Sequence, residues 1–168
     1  MPQQRNTFLS RHLPGQLQTA TGHLVIAEER VAGQNAGDFS AGAWRQRNLN
    51  TIRVNTILAS MISPPILVLP RGVYEVRGSA PAHQVNTHKL RLQSLTHGVT
   101  LLMGTSEYAY QGIPVTTRSV LTGRIWLVED TEMTLQHRCG TTRASDGMGR
   151  STGWQTEVYA VLELVRVR

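Results

Sequence analysis

Two segments in the C-terminal half of the chain alternate as β-strands do, yet carry apolar side chains on both faces. The segment 120–128 places on one face Val120, Thr122, Arg124, Trp126 and Val128, and on the other Leu121, Ile125 and Leu127. The segment 154–167 places on one face Val158, Ala160, Leu162 and Leu164, and on the other Tyr159, Val161, Val165 and Val167. A two-layer sandwich offers each strand one core face, so the second apolar face must be covered from outside. Another copy of the chain is the economical cover, which predicts an interface of Trp126, Tyr159, Val161, Val165 and Val167.

From His23 onward the chain consists of short apolar runs punctuated by Gly, Pro and Asn, which is typical of β-strands. The candidate strands are 23–30, 47–57, 65–69, 72–79, 87–95, 99–103, 116–128, 131–139 and 154–167. No long 3.6-residue periodicity is present, so we expect almost no helix. Eight or nine strands at this spacing predict one all-β sandwich or barrel domain, residues 23–168. The assignment of faces depends on strand register, because a β-bulge reverses it.

Residues 1–22 are expected to form an extended N-terminal arm outside this domain. The residues that break helix and strand there are Pro2, Pro14, Gly15 and Gly22. The arm residues predicted to dock on a partner are Arg5, Phe8, Leu9 and Leu13. A mobile tail is an equally good interpretation of this segment from the sequence alone.

Charge and cysteine content argue against several classes of function. The 168-residue chain has 17 basic and 11 acidic residues and a formal net charge of +6, but the basic residues form no run. Nucleic-acid affinity comes from neutralising adjacent phosphates, so we expect no nucleic-acid binding. The single cysteine, Cys139, can form no internal disulfide and is expected to be a small buried hydrophobe.

The N-terminus is polar and lacks the apolar core of a secretion signal. No stretch approaches the about 18 apolar residues of a membrane span, so we expect no membrane insertion. The chain is poor in charge and rich in Thr, Ser and Gly, which is more typical of extracellular β proteins. Such a chain without a signal is expected to leave the cell by lysis, as a virion component does.

Six stretches carry a recognisable combination of residues in a fixed order: 41–51, 69–82, 88–92, 104–108, 117–120 and 135–139. Together they resemble a domain of bacteriophage tail-fibre tips and other phage surface proteins. That domain has the jelly-roll fold of tumour necrosis factor and the complement globular heads. The resemblance spans residues 23–168. It implies a ten-stranded sandwich that forms a homotrimer through one sheet, and it brings no catalytic residues.

Fibre tips normally follow a long shaft or coiled coil, whereas a 22-residue segment without heptads precedes the domain here. That departure favours a trimer that docks directly on a particle. The predicted function is a non-enzymatic structural protein of the bacteriophage virion surface. It would be a capsid decoration, cement or head-fibre-type protein whose arm binds the major capsid protein or another virion protein. The alternative is a tail-fibre tip that recognises a host-surface receptor, either a glycan or a protein. A cellular adhesion or signalling ligand of the same fold is a third class.

Neither the six histidines nor Cys139 predict a metal or catalytic site. The nearest histidine pair is His83 and His88, whose odd spacing places them on opposite faces of any continuous strand, unlike the converging pair of a metal-binding cupin site. His137 has the strand parity of Leu135, so we expect an inward, hydrogen-bonded core residue. The strand that holds His137 and Cys139 lacks the glycine-framed elbow of a hydrolase. We therefore expect no enzyme activity and no cofactor.

Two loops are candidates for contact with a partner. The segment 107–113 contains Tyr108, Tyr110 and Gln111, and exposed tyrosine suits recognition of sugars or proteins. The segment 140–150 contains Arg143 and Arg150, and loops at the end of a sandwich commonly carry function. Packing of the two tyrosines at the trimer interface is the other interpretation. The residues expected in the core or at an interface, rather than in a ligand platform, are Trp44, Trp126 and Trp154.

Overall fold

A computed structural model describes residues 22–62 and 65–168, and over these ranges the chain forms eleven β-strands and no helix. The strands are β1 (Gly22–Arg30), β2 (Arg45–Gln46), β3 (Thr51–Asn55), β4 (Ser60–Ile62), β5 (Ile66–Leu69), β6 (Gly72–His83), β7 (Asn86–Ser94), β8 (Thr100–Ala109), β9 (Thr116–Leu127), β10 (Thr131–Cys139) and β11 (Glu157–Arg166). The predicted all-β architecture is confirmed.

The strands form two antiparallel sheets that pack face to face. The first sheet has the order β3-β1-β11-β6-β9. The second sheet has the order β4-β5-β10-β7-β8, and β2 pairs with β10 beside it. Most neighbours within a sheet are distant along the chain, so the chain crosses repeatedly between the sheets, as in a jelly roll.

The core lies between the sheets and is built from alternate residues of each strand. Its largest members include Leu24, Ile26, Leu67, Leu69, Leu90, Leu92, Leu121, Ile125, Met133, Leu135, Leu162 and Leu164. Complete burial of one such side chain contributes about 1.5–3 kcal/mol. In β7 and β10 the core-facing Leu90, Leu92, Met133 and Leu135 alternate with the more exposed Lys89, Arg91, Glu132, Gln136 and Arg138. Gln93 and Thr134 depart from a simple wet face, since they are 7% and 2% exposed.

On one side of the sandwich, a buried serine hydroxyl joins the two sheets by hydrogen bonds. Ser119 in β9 is fully buried, and its hydroxyl accepts a hydrogen bond from the Leu90 N–H (3.0 Å). The same hydroxyl donates to the Thr105 carbonyl (2.7 Å), and the Thr105 hydroxyl accepts from the Val120 N–H (3.0 Å). Because β9 belongs to the first sheet and β7 and β8 to the second, these bonds join the sheets.

Several strand boundaries differ from those predicted. The strand predicted over 47–57 is limited to Thr51–Asn55, because Arg47 turns into the interior. Strand β6 continues to His83 through Pro81, beyond the predicted end. Proline is tolerated there because β6 pairs with β11 only as far as Ser79, leaving β9 as its one partner at Pro81.

A β-bulge reverses the faces at the start of β11. The pairing of β1 with β11 shifts between Ala27 and Glu29, so that two residues of β11 oppose one residue of β1. Val158, which simple alternation places in the core, is 38% exposed, whereas Tyr159 is 3% exposed. The prediction of Tyr159 as an interface residue is therefore wrong, because the bulge turns its ring toward its own chain.

Tyr159 is held inside the chain by two contacts from loops. Its hydroxyl donates a hydrogen bond to the Gln34 carbonyl (2.7 Å). Gly149, with φ of +145°, lies directly against the ring, and a Cβ at that position would come within 2.4 Å of Tyr159 Cδ1. A residue without a side chain is therefore required where the loop before β11 passes over the tyrosine.

A buried ion pair joins four parts of the chain at this end of the sandwich. The side chains of Glu28 and Arg47 are both fully buried, with Arg47 Nη2 2.6 Å and Nε 2.9 Å from Glu28 Oε2. The guanidinium also donates to the carbonyls of Met148 (3.0 Å) and Pro81 (3.4 Å). It thus connects β1, the segment after β2, the end of β6 and the loop before β11.

The pair specifies these connections at a considerable cost in desolvation. Burial lowers the pKa of Arg47, and the Glu28 carboxylate opposes that shift. Taking both charges out of water offsets much of their attraction, whereas removing one partner leaves an uncompensated buried charge. The Glu28–Arg47 pair therefore stabilises the fold only when both residues are present.

We predict that Glu28→Gln destabilises the fold by about 3–5 kcal/mol, because the Arg47 charge is then buried without its partner. The double variant Glu28→Leu with Arg47→Met should be less destabilised than Glu28→Gln alone. Urea unfolding followed by circular dichroism measures both. The control is Glu29→Gln, which breaks the partly exposed Glu29–Arg53 pair (2.6 Å) and should cost about 0–1 kcal/mol. Equal losses of unfolding free energy in Glu28→Gln and Glu29→Gln would contradict a special role for the buried Glu28–Arg47 pair.

Candidate functional site

The outer face of the first sheet carries a row of exposed apolar side chains, which we call the valine–tryptophan face. Its members are Val73, Val120, Trp126, Val128, Val161 and Val165. Trp126 is 68% exposed and Val128 is 84% exposed, while the valines of β11 are partly covered by their neighbours. The strand register brings these side chains next to one another. Trp126 in β9 lies opposite Val73 in β6, and Val120 in β9 and Val161 in β11 lie on either side of Ser79 in β6.

Most charged side chains on the valine–tryptophan face have an opposite partner, whereas Arg118 donates instead to the Ser79 hydroxyl (3.0 Å) and the Tyr159 carbonyl (2.6 Å). Arg124 contacts Glu75 across β9 and β6. Glu163 lies 2.9 Å from the His23 ring and 4.0 Å from Arg77. These contacts leave little uncompensated charge between the apolar rows, so the face can approach another copy without strong repulsion.

Four of the five residues predicted for the interface are placed on or beside this face. Trp126, Val161 and Val165 belong to it, and Val167 lies just beyond β11, where its N–H donates to the Val73 carbonyl (2.9 Å). Val158 also points outward, and the sequence pattern missed it because of the bulge.

The predicted tyrosine loop is exposed. Tyr108 and Tyr110 are 55% and 49% exposed, and their rings stack with a centroid separation of 6.3 Å. The backbone of Gln111 is fixed by the Asn86 side chain (3.1 Å) and by Gln84, whose amide donates to the Gln111 carbonyl (2.9 Å). Tyr108 lies in the last residues of β8, not in a loop as predicted, and Tyr110 follows the strand at the start of this anchored turn.

The 140–150 loop is more tightly packed than a free contact loop. Arg143 is committed to its own chain, because its guanidinium donates to both carboxylate oxygens of Asp146 (2.7 and 3.3 Å). Its backbone also exchanges hydrogen bonds with Phe39 (2.8 and 3.0 Å). Arg150 is exposed. Trp154, in the loop that precedes β11, is 87% exposed and lies outside the core.

The predicted docking residues Arg5, Phe8, Leu9 and Leu13 lie outside the described residues, and their role stays a prediction. No helix in the described ranges is long and apolar enough to cross a membrane.

Three histidines are buried near the Glu28–Arg47 pair. His88 Nδ1 lies 3.0 Å from His137 Nε2, and His88 Nε2 lies 2.7 Å from the Thr117 hydroxyl. His83 Nδ1 lies 2.8 Å from the Thr116 hydroxyl. The expected inward position of His137 is confirmed, since it is fully buried and hydrogen-bonded.

The buried histidines are neutral near pH 7. Burial lowers the pKa of His88 to about 4, and it lowers the pKa values of His83 and His137 in the same direction. The nearby Arg47 charge adds to the lowering for His88 and His137. Neutral, enclosed rings of this kind act as packing and hydrogen-bonding groups.

Cys139 is a poor nucleophile in this environment. Its side chain is buried, and burial raises the pKa of the thiol to about 11. The thiol lies 3.4 Å from the Thr141 carbonyl and 3.7 Å from the Phe39 carbonyl. Within the described part of the chain, no group of three or more His, Cys, Asp and Glu side chains could hold a metal ion.

The sequence pattern did not identify a cleft on the outer face of the second sheet. The cleft has a volume of 590 Å³ and is lined by Gly42, Trp44, Thr87, His88, Lys89, Ser106, Glu107, Arg138, Cys139 and Gly140. Alternation along β7 and β10 places Lys89 and Arg138 on the outward face, beside the buried Leu90 and His137. The pairing of Lys89 with Arg138, and the position of Trp44 beside them, required the structure.

No protein-family model matches the chain, and no curated protein matches it. Solved structures do match across most of its length. The globular domain of a zebrafish complement 1qA protein has a TM-score of 0.58 at 12% identity, covering 88% of this chain and 98% of that one. Murine APRIL has a TM-score of 0.51 at 10% identity, covering 86% and 98% of the two chains. Eiger TNF from S. frugiperda has a TM-score of 0.50 at 12% identity, covering 86% and 92%.

The chain has the tumour necrosis factor/C1q-type jelly-roll fold. The predicted fold is thus confirmed, with its two sheets in the order given above. At 10–12% identity the likeness establishes the fold alone.

The buried histidines predict acid sensitivity of the jelly roll. Because the unfolded chain takes up protons near pH 6.5 and folded His88 only near pH 4, protonation favours unfolding between these values. The contribution of the neutral histidines to the free energy of unfolding should be fully present above about pH 6.5 and should be lost as the pH falls toward 4. Urea midpoints measured across this range test the effect.

The matched variants are His88→Gln, which should flatten the pH dependence, and His97→Gln, which removes an exposed histidine and should leave it unchanged. The same slope in both variants would show that the acid sensitivity arises elsewhere.

Proposed function

We propose that this jelly roll is a non-enzymatic, homotrimeric structural protein on the surface of a bacteriophage virion. The observation that carries the assembly part of this proposal is the valine–tryptophan face. A face with Trp126, Val120 and Val128 at 46–84% exposure is the kind of patch that soluble proteins cover with a partner.

A second and third copy of this chain are the occupants that we infer. Domains with the tumour necrosis factor/C1q-type jelly roll often form homotrimers, and the paired charges on the face suit contact between like chains. A three-fold arrangement is closed, so that each copy can cover the face of the next and leave no copy uncovered.

The proposal of a non-enzymatic role draws support from the environment of the reactive side chains. His83, His88 and His137 are enclosed and neutral, and the Cys139 thiol is protonated at physiological pH. A catalytic nucleophile needs a lowered pKa or a base within reach, and a substrate needs access to both.

The virion assignment rests on the six sequence stretches that resemble phage surface domains. In this proposal the arm residues Arg5, Phe8, Leu9 and Leu13 bind the major capsid protein or another virion protein. A trimer on a local three-fold axis of the particle can bring three arms to bear at once, which multiplies weak contacts.

We predict that the purified chain sediments at about 56 kDa, three times the 18.6 kDa of one copy. Trp126→Glu and Val161→Glu should each dissociate it to the monomer, because each buries an unpaired charge in the interface. Analytical ultracentrifugation gives the mass, and circular dichroism confirms that each variant remains folded.

Met103→Glu is the matched control, since Met103 is 49% exposed and lies on the second sheet, opposite Arg91. It should sediment as the wild type does. A wild-type chain that remains monomeric at every concentration, or a Met103→Glu variant that dissociates as readily, would overturn the assembly proposal.

Deletion of residues 2–20 tests the docking arm. The truncated chain should still form the trimer but should lose binding to particles that lack their own copy of the protein. Co-sedimentation with such particles measures binding, and full retention of the truncated trimer would contradict the docking role.

The exposed Tyr108–Tyr110 stack favours a second candidate, host recognition by a tail-fibre-tip protein. In that case the isolated trimer binds host cells, and Tyr108→Ala with Tyr110→Ala abolishes the binding. Binding to bare capsids without binding to cells would reject this candidate in favour of the first.

A further inference from the structure

The cleft on the second sheet concentrates positive charge that has no carboxylate partner. Lys89 in β7 lies directly opposite Arg138 in β10. Arg91 lies two residues along β7, and its pKa is lowered first by burial and then by the neighbouring Arg138 charge. Neither Lys89 nor Arg138 makes an ion pair in the described part of the chain, and Glu107 is the one carboxylate that lines the cleft.

Like charges directly opposite each other on neighbouring strands destabilise a sheet. Elsewhere in the sheets, oppositely charged side chains of neighbouring strands meet, as with Arg124 and Glu75 or Arg53 and Glu29. An unpaired Lys89–Arg138 couple in a concave site is therefore an arrangement that a bound anion would relieve.

The wall of the cleft supplies an aromatic ring of fixed orientation. The Arg91 guanidinium lies 4.3 Å from the centre of the Trp44 ring. Arg91 is itself held by the Gln136 side-chain oxygen (2.7 and 2.9 Å) and the Thr100 hydroxyl (3.3 Å). Trp44 is only half-buried, so part of the indole remains open to the cleft.

Hydroxyl groups complete the lining. Thr87 and Ser106 are exposed beside Lys89, and Tyr108 lies opposite Thr87 at the rim. Hydroxyls both donate and accept hydrogen bonds, and aromatic rings offer an apolar surface with a polar edge. A volume of 590 Å³ falls within the roughly 300–1,000 Å³ of small-ligand sites.

The geometry points to a binding site for an acidic saccharide, whose carboxylate or sulfate lies between Lys89 and Arg138 while its ring lies beside Trp44. The cations match the acidic group, the hydroxyls match the sugar hydroxyls, and the indole matches the apolar face of the ring. The site lies within one chain and goes beyond the assembly role, so it requires neither the trimer nor the particle.

A nucleic acid is a poorer match for this cleft. Single-strand binding uses an extended basic groove with several stacking platforms. Here the cations are confined to one end of the second sheet, and one face of Trp44 is already covered by Arg91.

Isothermal titration calorimetry of the full-length chain tests the inference with three polysaccharides. Polygalacturonate carries carboxylates, dextran sulfate carries sulfates, and unmodified dextran is neutral. We expect binding of at least one acidic polymer and none of dextran, and the comparison of the two acidic polymers identifies the preferred group. Lys89→Gln with Arg138→Gln should weaken that binding about tenfold or more, because two charge-assisted hydrogen bonds are lost.

Trp44→Ala should also weaken binding, although it leaves the charges in place. The charge-matched control is Arg71→Gln with Arg168→Gln, which removes two exposed arginines that do not line the cleft. It should change affinity by less than about twofold. Circular dichroism establishes that all variants are folded.

Three results would each overturn the inference: equal losses in the cleft and control variants, equal binding of dextran, or a thymidine oligonucleotide that binds as tightly and responds to the same substitutions. Failure to bind either acidic polymer would do so as well. Because sedimentation is measured on the same samples, failure here is distinguishable from failure of the trimer.

Discussion

The buried contact between Glu28 and Arg47 determines how one end of this jelly roll is built. Apolar side chains alone bring the two sheets together, but they do not specify which loops cover the end of the sandwich. Arg47 does so by reaching Glu28, Pro81 and Met148 at once. The loop that contains Met148 then passes over Tyr159, and Gly149 permits the close approach. Met148 of this loop packs against the buried cluster that contains Phe39, Ala82 and Cys139, and Phe39 in turn contacts the neutral His137.

The bulge between β1 and β11 lies at Glu28 and explains why the sequence pattern misplaced Tyr159. Period-two alternation identified the outward residues of β9 correctly, since Trp126 and Val120 are exposed and Leu121 is buried. It also identified Val161 and Val165. It failed at Tyr159 because nothing in the local sequence reveals that β1 and β11 slip by one residue there. A bulge is a property of the pair of strands, and one strand alone does not encode it.

The inward turn of Arg47 and the cleft around Lys89 also depend on residues that are distant in the sequence. The sequence predicted the all-β class and most strands, because these depend on local composition and alternation. It placed residues 47–50 in a strand, because the partner that draws Arg47 inward lies 19 residues away. The cleft was missed for the same reason, since Lys89 and Arg138 are 49 residues apart in the chain and adjacent only in the sheet. Within a regularly paired strand, local alternation indicates the face on which a side chain lies, whereas bulges and contacts with distant strands depend on topology.

The two outward faces of the sandwich belong to different sheets and share no residue. The valine–tryptophan face lies on the first sheet, and the cleft around Lys89 lies on the second. Substitutions at separated sites with no common partner act almost independently. Substitutions that accumulate in the cleft can therefore change the ligand preference proposed for it while the valine–tryptophan face stays intact. Under both proposals, binding and assembly can evolve separately.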